Sequence, residues 1–407
     1  MTRLLVCLIA LAPALLAQAT VTSIFQKPAV GTIQKLDQQG RLEVKVAGSD
    51  VPARVPLDEV EEVTFGHKGD ERKPEDAPLR VYLVNGDLLH GTADNGPEDD
   101  EEVFVLRGKR FGELQINIEA VKRIEVVANV APNLLPELAP DAKFDHAYLV
   151  EQLDPSAAMQ RIVKDGVYLY NRIIDGDNVE GVKYAWERIR GVVCKRTVPA
   201  PFTKLEGIFT LRDGSMLRGA IKSWAGGKVT FEHRTLKRDV TLEESNLISV
   251  TMKNGRYIYL SDMEFAEPPD ERPWLLPPDF KYEEYLFKAR RDQANLGGPI
   301  SLRGKVYAKG LGVHAISRLS FDLNRGYTRF VADIGVDDSA GDLASVEFKV
   351  YADGKLVFES GVLRRSAEVR TIDLEVLNVR RIVLEVTATD DGDSQDRANW
   401  ANAKLVR

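Results

Sequence analysis

Leu83-Val84-Asn85-Gly86-Asp87-Leu88-Leu89-His90-Gly91 and Leu211-Arg212-Asp213-Gly214-Ser215-Met216-Leu217-Arg218-Gly219 share one plan. An apolar residue leads into a turn dipeptide, Asn85-Gly86 or Asp213-Gly214, and an apolar pair follows. Such dipeptides supply the left-handed backbone of a tight hairpin. A second glycine, Gly91 or Gly219, stands where the next strand can bend sharply. The reading is a hairpin used more than once, and hence a β protein built from repeats.

The rest of the first two thirds agrees. Apolar residues alternate in short runs: Leu42, Val44, Val46; Val81, Leu83; Val103, Val105; Leu114, Ile116, Ile118; Val229, Phe231. A period of two marks a strand with one face inward. A closing signature also recurs, as Val60, Val63, Phe65, as Val121, Ile124, Val126, and as Leu247, Val250, Met252. Its two-residue gap predicts a short helical turn before a last strand. Strand, turn, strand, single-turn helix, strand resembles the plan of small SH3-like or Sm-like barrels, in pattern only, and such a plan does not specify function.

These signals place barrel-like repeats at residues 20–67, 79–130 and 205–263. Residues 131–201 are expected to hold a linker plus a degenerate repeat. There, Ile173 to Gly181 has the spacing of the opening, and Ile189, Val192, Cys194 that of the closing. The interval is too short for a full barrel. Cys194 would then be a buried hydrophobe rather than a reactive thiol. Asp154-Pro155 predicts a short helix running to about Val163. Asp175-Gly176-Asp177 lacks the closing Glu of a calcium loop and reads as a solvated turn. Lys68 to Pro78 reads as a linker and Pro97 to Glu102 as a long acidic hairpin loop. Proline-rich residues 264–294 separate the repeats from a last module, with a short helix expected over Tyr282 to Ala294 and Trp274 packing on a neighbouring domain.

The N-terminus predicts export. Arg3 precedes an apolar run from Leu4 to Leu16, and Ala17-Gln18-Ala19 has the form of a cleavage site, so residues 1–19 read as a signal peptide. The run is short for a bilayer span, which needs about 20 residues. The mature chain is expected to begin near Thr20, to carry no transmembrane helix, and to be secreted, periplasmic or at the cell surface. One of the two cysteines leaves with the leader, so no disulfide can form within the remainder. The net charge of −7 offers no basis for nucleic acid or an anionic membrane as partner. The five histidines are scattered without metal-ligand spacing.

The last quarter alternates again: Leu319, Phe321, Leu323; Val346, Phe348, Val350; Ile372, Leu374, Val376. Strands of this length between Gly and Asp turns predict a sandwich. Its blocks are Gly298 to Ala315, with Gly310-Leu311-Gly312-Val313-His314; Tyr327-Thr328-Arg329-Phe330; Ile334-Gly335-Val336-Asp337-Asp338; Val350 to Lys355; and Asp396-Arg397-Ala398-Asn399-Trp400-Ala401-Asn402-Ala403-Lys404-Leu405. Residues 295–407 resemble the NPCBM family of carbohydrate-binding modules, found beside glycosidase domains and in bacterial surface proteins. The resemblance implies a galactose-binding-like β-sandwich of the jelly-roll kind and a glycan or polysaccharide ligand. It also implies a structural calcium, for which Asp337 and Asp338 are the candidates beside the Asp390 to Asp393 loop; surface turns account for the same residues. A sugar site needs an aromatic face and directed polar groups. Trp400 is the first aromatic candidate and Tyr307 the second, with His314, Asp396, Asn399 and Asn402 as polar partners. His314 and Trp400 serve equally well as core residues.

Catalysis is not expected. A glycosidase needs two carboxylates across a cleft, whereas the acidic residues here lie in short turns. No nucleophile elbow or phosphate loop occurs, and Gly310-Leu311-Gly312 precedes a strand rather than a helix. The expected function is a non-catalytic carbohydrate-binding protein of the envelope or exterior. The alternatives are an envelope scaffold whose repeats bind other proteins, an accessory part of a glycoside-hydrolase system, or an enzyme with a site between repeats.

Overall fold

A computed structural model describes residues 18–66, 77–130, 135–139, 141–151, 157–171, 181–197, 199–200, 202–269 and 287–407. The expected leader up to Ala17, most of the 68–78 linker, the Ile173–Glu180 opening and Trp274 lie outside them. The chain divides into two compact units, Met1–Gly255 and Arg256–Arg407.

Among its described residues the first unit carries twenty strands in four groups. Ala19–Ser23 (β1), Ala29–Leu36 (β2), Arg41–Val46 (β3), Ala53–Pro56 (β4) and Val60–Phe65 (β5) form an antiparallel meander in which β5 returns to β1. Leu79–Leu83 (β6), Leu88–Asp94 (β7), Val103–Gly108 (β8), Gly112–Asn117 (β9) and Val121–Val126 (β10) repeat it, β10 returning to β6. Glu206–Leu211 (β16), Met216–Ala225 (β17), Lys228–His233 (β18), Arg238–Glu243 (β19) and Leu247–Lys253 (β20) do so again. Between them lie His146–Leu149 (β11), Ala157–Val163 (β12), Gly166–Asn171 (β13), Val182–Ala185 (β14) and Ile189–Val193 (β15), with β15 on β11 and β12, β13, β14 in order.

The two-residue gap of the closing signature lies inside the last strand, at a register shift between Val121 and Arg123 and between Leu247 and Ser249, and the expected helical turn stands ahead of the signature rather than within it. A single 3-10 turn, Ile118–Ala120, Trp186–Arg188 or Glu244–Asn246, precedes the last strand of three groups. Gly86 and Gly214 sit at φ +89° and +85°, the conformation their turns require. At Gly31, Gly91 and Gly219 a Cβ would lie 2.1, 2.6 and 2.4 Å from a carbonyl oxygen of the next strand, so only glycine lets that strand approach.

The third group differs from its expected form. Its opening strand is His146–Leu149, well ahead of Ile173, and Ala157–Val163 is a strand where a helix is expected. The reason is pairing: Met159 faces Leu169 and Ile162 faces Val167, all buried, which a helix would not allow. Cys194 is buried at 5% exposure, and burial pushes its thiol well above the usual range.

The groups join by equivalent positions. β5 pairs with β20 through Val63 opposite Val250, and β10 with β15 through Ile124 opposite Val192. These are the middle residues of the closing signature, and all four are fully buried. The two opening hairpins also meet, Leu88 opposite Met216. His90 Nδ1 donates to the Asp213 carbonyl at 2.7 Å, and Arg218 Nη1 donates to the Asn85 carbonyl at 2.5 Å. Each copy thus caps the turn of the other. Beside them His233 Nε2 donates to Asp87 Oδ2 at 2.6 Å, with Nδ1 accepting from the Leu236 N–H. Both His233 and Asp87 are fully buried.

The second unit is a sandwich. Its strands are Tyr257–Tyr259 (β21), Arg290–Arg291 (β22), Ile300–Leu302 (β23), Lys305–Tyr307 (β24), Gly310–His314 (β25), Ser317–Asp322 (β26), Arg329–Val336 (β27), Ser345–Ala352 (β28), Lys355–Arg364 (β29), Arg370–Glu375 (β30), Arg381–Ala388 (β31) and Arg397–Val406 (β32). One sheet runs β22-β25-β32-β27-β30, with β21 also on β32; the other runs β26-β31-β28-β29. Leu311, Phe330, Ile334 and Trp400 from the first meet Phe321, Phe348, Leu384 and Val386 from the second. The unit takes in Tyr257–Tyr259 because that strand pairs with Lys404–Val406. Of the helix expected over Tyr282 to Ala294, the described part from Phe287 holds only the two-residue strand β22, which pairs with β25.

Asp87→Ala would leave His233 Nε2–H buried without an acceptor. The expected loss is about 1–3 kcal/mol, read as a lower urea midpoint for the first unit; an unchanged midpoint would show that the contact contributes nothing.

Candidate functional site

Of the expected site residues, Asn399, Trp400 and Asn402 lie on β32, the strand held between β25 and β27, with Asp396 just ahead of it, His314 ending β25 and Tyr307 ending β24. Along β32, side chains alternate between the two faces of the sheet. Ala398 and Trp400 enter the sandwich core, while Asn399 points to the other side. Trp400 is 0% exposed, with its ring edge-on to Phe348 at 4.8 Å. A ring with no exposed face has none on which a sugar could stack. Its Nε1–H finds no acceptor among the described residues.

Tyr307 is also enclosed, packed with Ile300, Leu302 and Ala401. Its hydroxyl donates to Asp333 Oδ2 at 2.9 Å, and Lys305 Nζ lies 4.4 Å from the ring centre. His314 is 8% exposed; Nδ1 donates to the Ala315 carbonyl at 2.5 Å, and Phe287 meets the ring edge-on. Burial holds its imidazole below the usual pKa, against the Ala315 carbonyl. Asn402 has φ +54°, and its N–H reaches the Lys309 carbonyl.

The structure does bring Asn399, Asp337 and Asp338 together. Asn399 Nδ2 donates to Asp337 Oδ2 at 2.5 Å. Asp337 Oδ1 accepts from the Ser339 N–H at 2.9 Å and from the Ser339 hydroxyl. Asp338 accepts from the Ser301 hydroxyl, the Arg303 N–H at 2.8 Å and the Gly304 N–H at 2.7 Å. Burial alone would raise its pKa, but these donors and the Arg365 charge hold it below the ordinary value. A calcium ion takes about six to eight oxygen ligands. These carboxylates face N–H and O–H donors instead, so the pair does not fit one. Among the described residues no group of three or more His, Cys, Asp or Glu is placed to hold a metal ion.

Asp338 instead pins a turn. Arg303 and Gly304, at φ +52° and +78°, make the two-residue link between β23 and β24. Against that turn opens a cleft of about 610 Å³ lined by Arg303, Gly304, Asp338, Asp342, Arg364, Arg365 and Ser366. Three separate segments build it, so no local motif announces it. Arg365 Nη1 pairs with Asp342 at 3.0 Å and Nη2 donates to the Asp338 carbonyl at 3.3 Å.

Asp396 is 1% exposed. Its Oδ1 accepts from the Ser345 N–H at 2.8 Å, while Oδ2 has no partner among the described residues. Burial pushes its carboxyl up to about 6; the Ser345 N–H opposes the rise, and the Asp391 and Asp393 charges add to it.

Residues 258–406 match the NPCBM/NEW2 domain family. A protein of Renibacterium salmoninarum named for endo-alpha-N-acetylgalactosaminidase activity is 31% identical over 149 residues, 36% of this chain and 9% of that protein. The alpha-1,3-galactosidase B of Akkermansia muciniphila is 30% identical over 119 residues, 28% of this chain and 15% of that enzyme. The chain therefore spans a small part of the length of either relative. Among solved structures it is similar to the CBM51 of the Clostridium perfringens GH95 protein in complex with methyl-galactose. The identity there is 26%, over 37% of this chain and 99% of that one, with a TM-score of 0.32.

Trp400→Ala should cost about 3–5 kcal/mol, a large share of a domain's stability. A guanidinium melt of the second unit reads it, and an unchanged midpoint would take Trp400 out of the core. Asp396 gives a pH test. Its folded pKa of about 6 lies above the ordinary 3.8, so between those values the folded state holds a proton that the unfolded state has lost. Stability from this group therefore falls as pH rises through that window. Asp396→Asn should flatten that part of the melting profile; an unaltered slope would assign it to other groups.

Proposed function

We propose that the NPCBM/NEW2 domain over residues 258–406 binds a glycan without cleaving it, and that the chain is an exported carbohydrate-binding protein of the envelope or cell exterior. The observation that carries this is the coincidence of the family match with a self-contained sandwich, Arg256–Arg407. The cleft on that unit offers guanidinium donors and the exposed Asp342 carboxylate to a ligand's hydroxyls.

The geometry of the cleft argues against hydrolysis. A general acid needs a raised pKa, and a glycosidase pair must stand free on either side of the bond. Asp338 is held low and fully engaged with the hairpin turn. Asp342 pairs with Arg365 at the surface. Tyr307, His314, Asp396, Asn399, Trp400 and Asn402 form the support behind the loops in this reading. Export rests on Arg3, the apolar run after it and Ala17-Gln18-Ala19. No helix among the described residues is long and apolar enough to cross a membrane. The N-terminal repeats, read as SH3-like, are the surface offered to envelope proteins.

A glycan array probed with the chain from Thr20 onward tests this, alongside a panel of chromogenic glycosides. Selective binding with no turnover is expected. Turnover would make the protein an enzyme, and an empty array would end the glycan reading.

A further inference from the structure

The cleft is unusual in its donors. Three guanidiniums, from Arg303, Arg364 and Arg365, face two carboxylates, from Asp338 and Asp342. Those carboxylates are not equivalent. Asp338 spends its oxygens on the Ser301 hydroxyl and the Arg303 and Gly304 N–H groups. Asp342 is 93% exposed at its side chain, and a pair of that kind is worth about 0–1 kcal/mol. A ligand anion can displace it at small cost.

The remaining partners of the arginines are long, exposed contacts. Arg303 Nη2 stands 3.7 Å from Glu368, whose side chain is 86% exposed, and Arg364 Nη1 stands 3.4 Å from Asp391. Each guanidinium carries five N–H donors in a planar fork, so these contacts leave most of that capacity for a ligand. The backbone that carries Arg303 and Arg364 is also held in place, and so is the guanidinium of Arg365. Arg303 sits in the turn that Asp338 pins, and Arg364 ends β29 opposite Ser345. Arg365 is anchored through the Asp338 carbonyl.

Among the described residues no aromatic side chain lines the cleft. A neutral sugar gains much of its affinity by stacking on such a ring. Here the binding energy must come from charge-assisted hydrogen bonds, and the groups that match a guanidinium fork are carboxylate and sulfate. We infer that the glycan carries an anionic group, a uronate carboxylate or a sulfate ester, and that Arg303, Arg364 and Arg365 receive it. This rests on the glycan-binding reading above.

The test measures binding of the chain from Thr20 onward to three oligosaccharides of equal length by calorimetry. One is neutral galactose, one is sulfated galactose, and one is galacturonate. The sulfated or uronate ligand should bind about tenfold tighter than the neutral one, as for one charge-assisted contact. That advantage should shrink as salt rises from about 50 mM to about 500 mM. Arg364→Gln with Arg365→Gln should remove the preference while leaving the melting temperature unchanged, and Arg365→Lys should keep part of it. Equal binding of all three ligands, indifferent to the arginine changes, would overturn the anionic assignment and leave glycan binding intact. Binding of none of them, together with an empty array, would overturn both. A preference that survives the double substitution would overturn the assignment to these arginines.

Discussion

The edge-on contact between Trp400 and Phe348 is the point on which the second unit depends. Trp400 lies on β32 and Phe348 on β28, so the pair joins the two sheets across the core. Buried aromatics provide large apolar area, and the edge-to-face geometry adds a specific term of about 0.5–1.5 kcal/mol. Around it β32 pairs on both flanks, with β25 and β27. The outer side of the same strand carries Asn399, whose amide reaches Asp337. Asp338, the next residue, pins the β23–β24 turn, and that turn forms one wall of the cleft. A buried ring thus fixes a surface site through one strand and one loop.

The first unit rests on a different device. Equivalent residues of different copies meet one another: Val63 with Val250, Ile124 with Val192, Leu88 with Met216. The reciprocal caps from His90 and Arg218 have the same logic. A surface that fits its own copy is self-complementary, as in a two-fold dimer, and duplicated repeats within one chain can use that property. Pairing through the last strand also covers edges that would otherwise be open to other chains. Substitution of one partner changed the details, since His90 in one copy corresponds to Arg218 in the other. Both can donate to a carbonyl, so the interface survives the difference.

The strands, the hairpin turns and the 3-10 turn before three of the closing strands were legible because they depend on local chemistry. A period of two, a left-handed glycine and a two-residue gap each leave a mark in a short window. The third group was only half legible. Ile189, Val192 and Cys194 carried the closing signal, but its opening strand His146–Leu149 has no glycine turn after it. Asp154-Pro155 carried a helix-start signal that tertiary pairing overrode at Ala157–Val163.

The sequence by itself determined that the chain is mainly β, that its hairpins recur, and that its last part has the blocks of a carbohydrate-binding family. Only the tertiary structure decided which residues of those blocks face solvent. Alternation separates two faces of a strand but cannot say which face another sheet will cover, so Trp400 could be read as a ligand platform until Phe348 was seen against it. The cleft was hidden for a related reason. Arg303, Asp338 and Arg365 belong to three loops, each an ordinary polar turn, and they converge only when the sandwich closes. Local periodicity reports burial along one element, whereas a binding site is a property of the distances between elements.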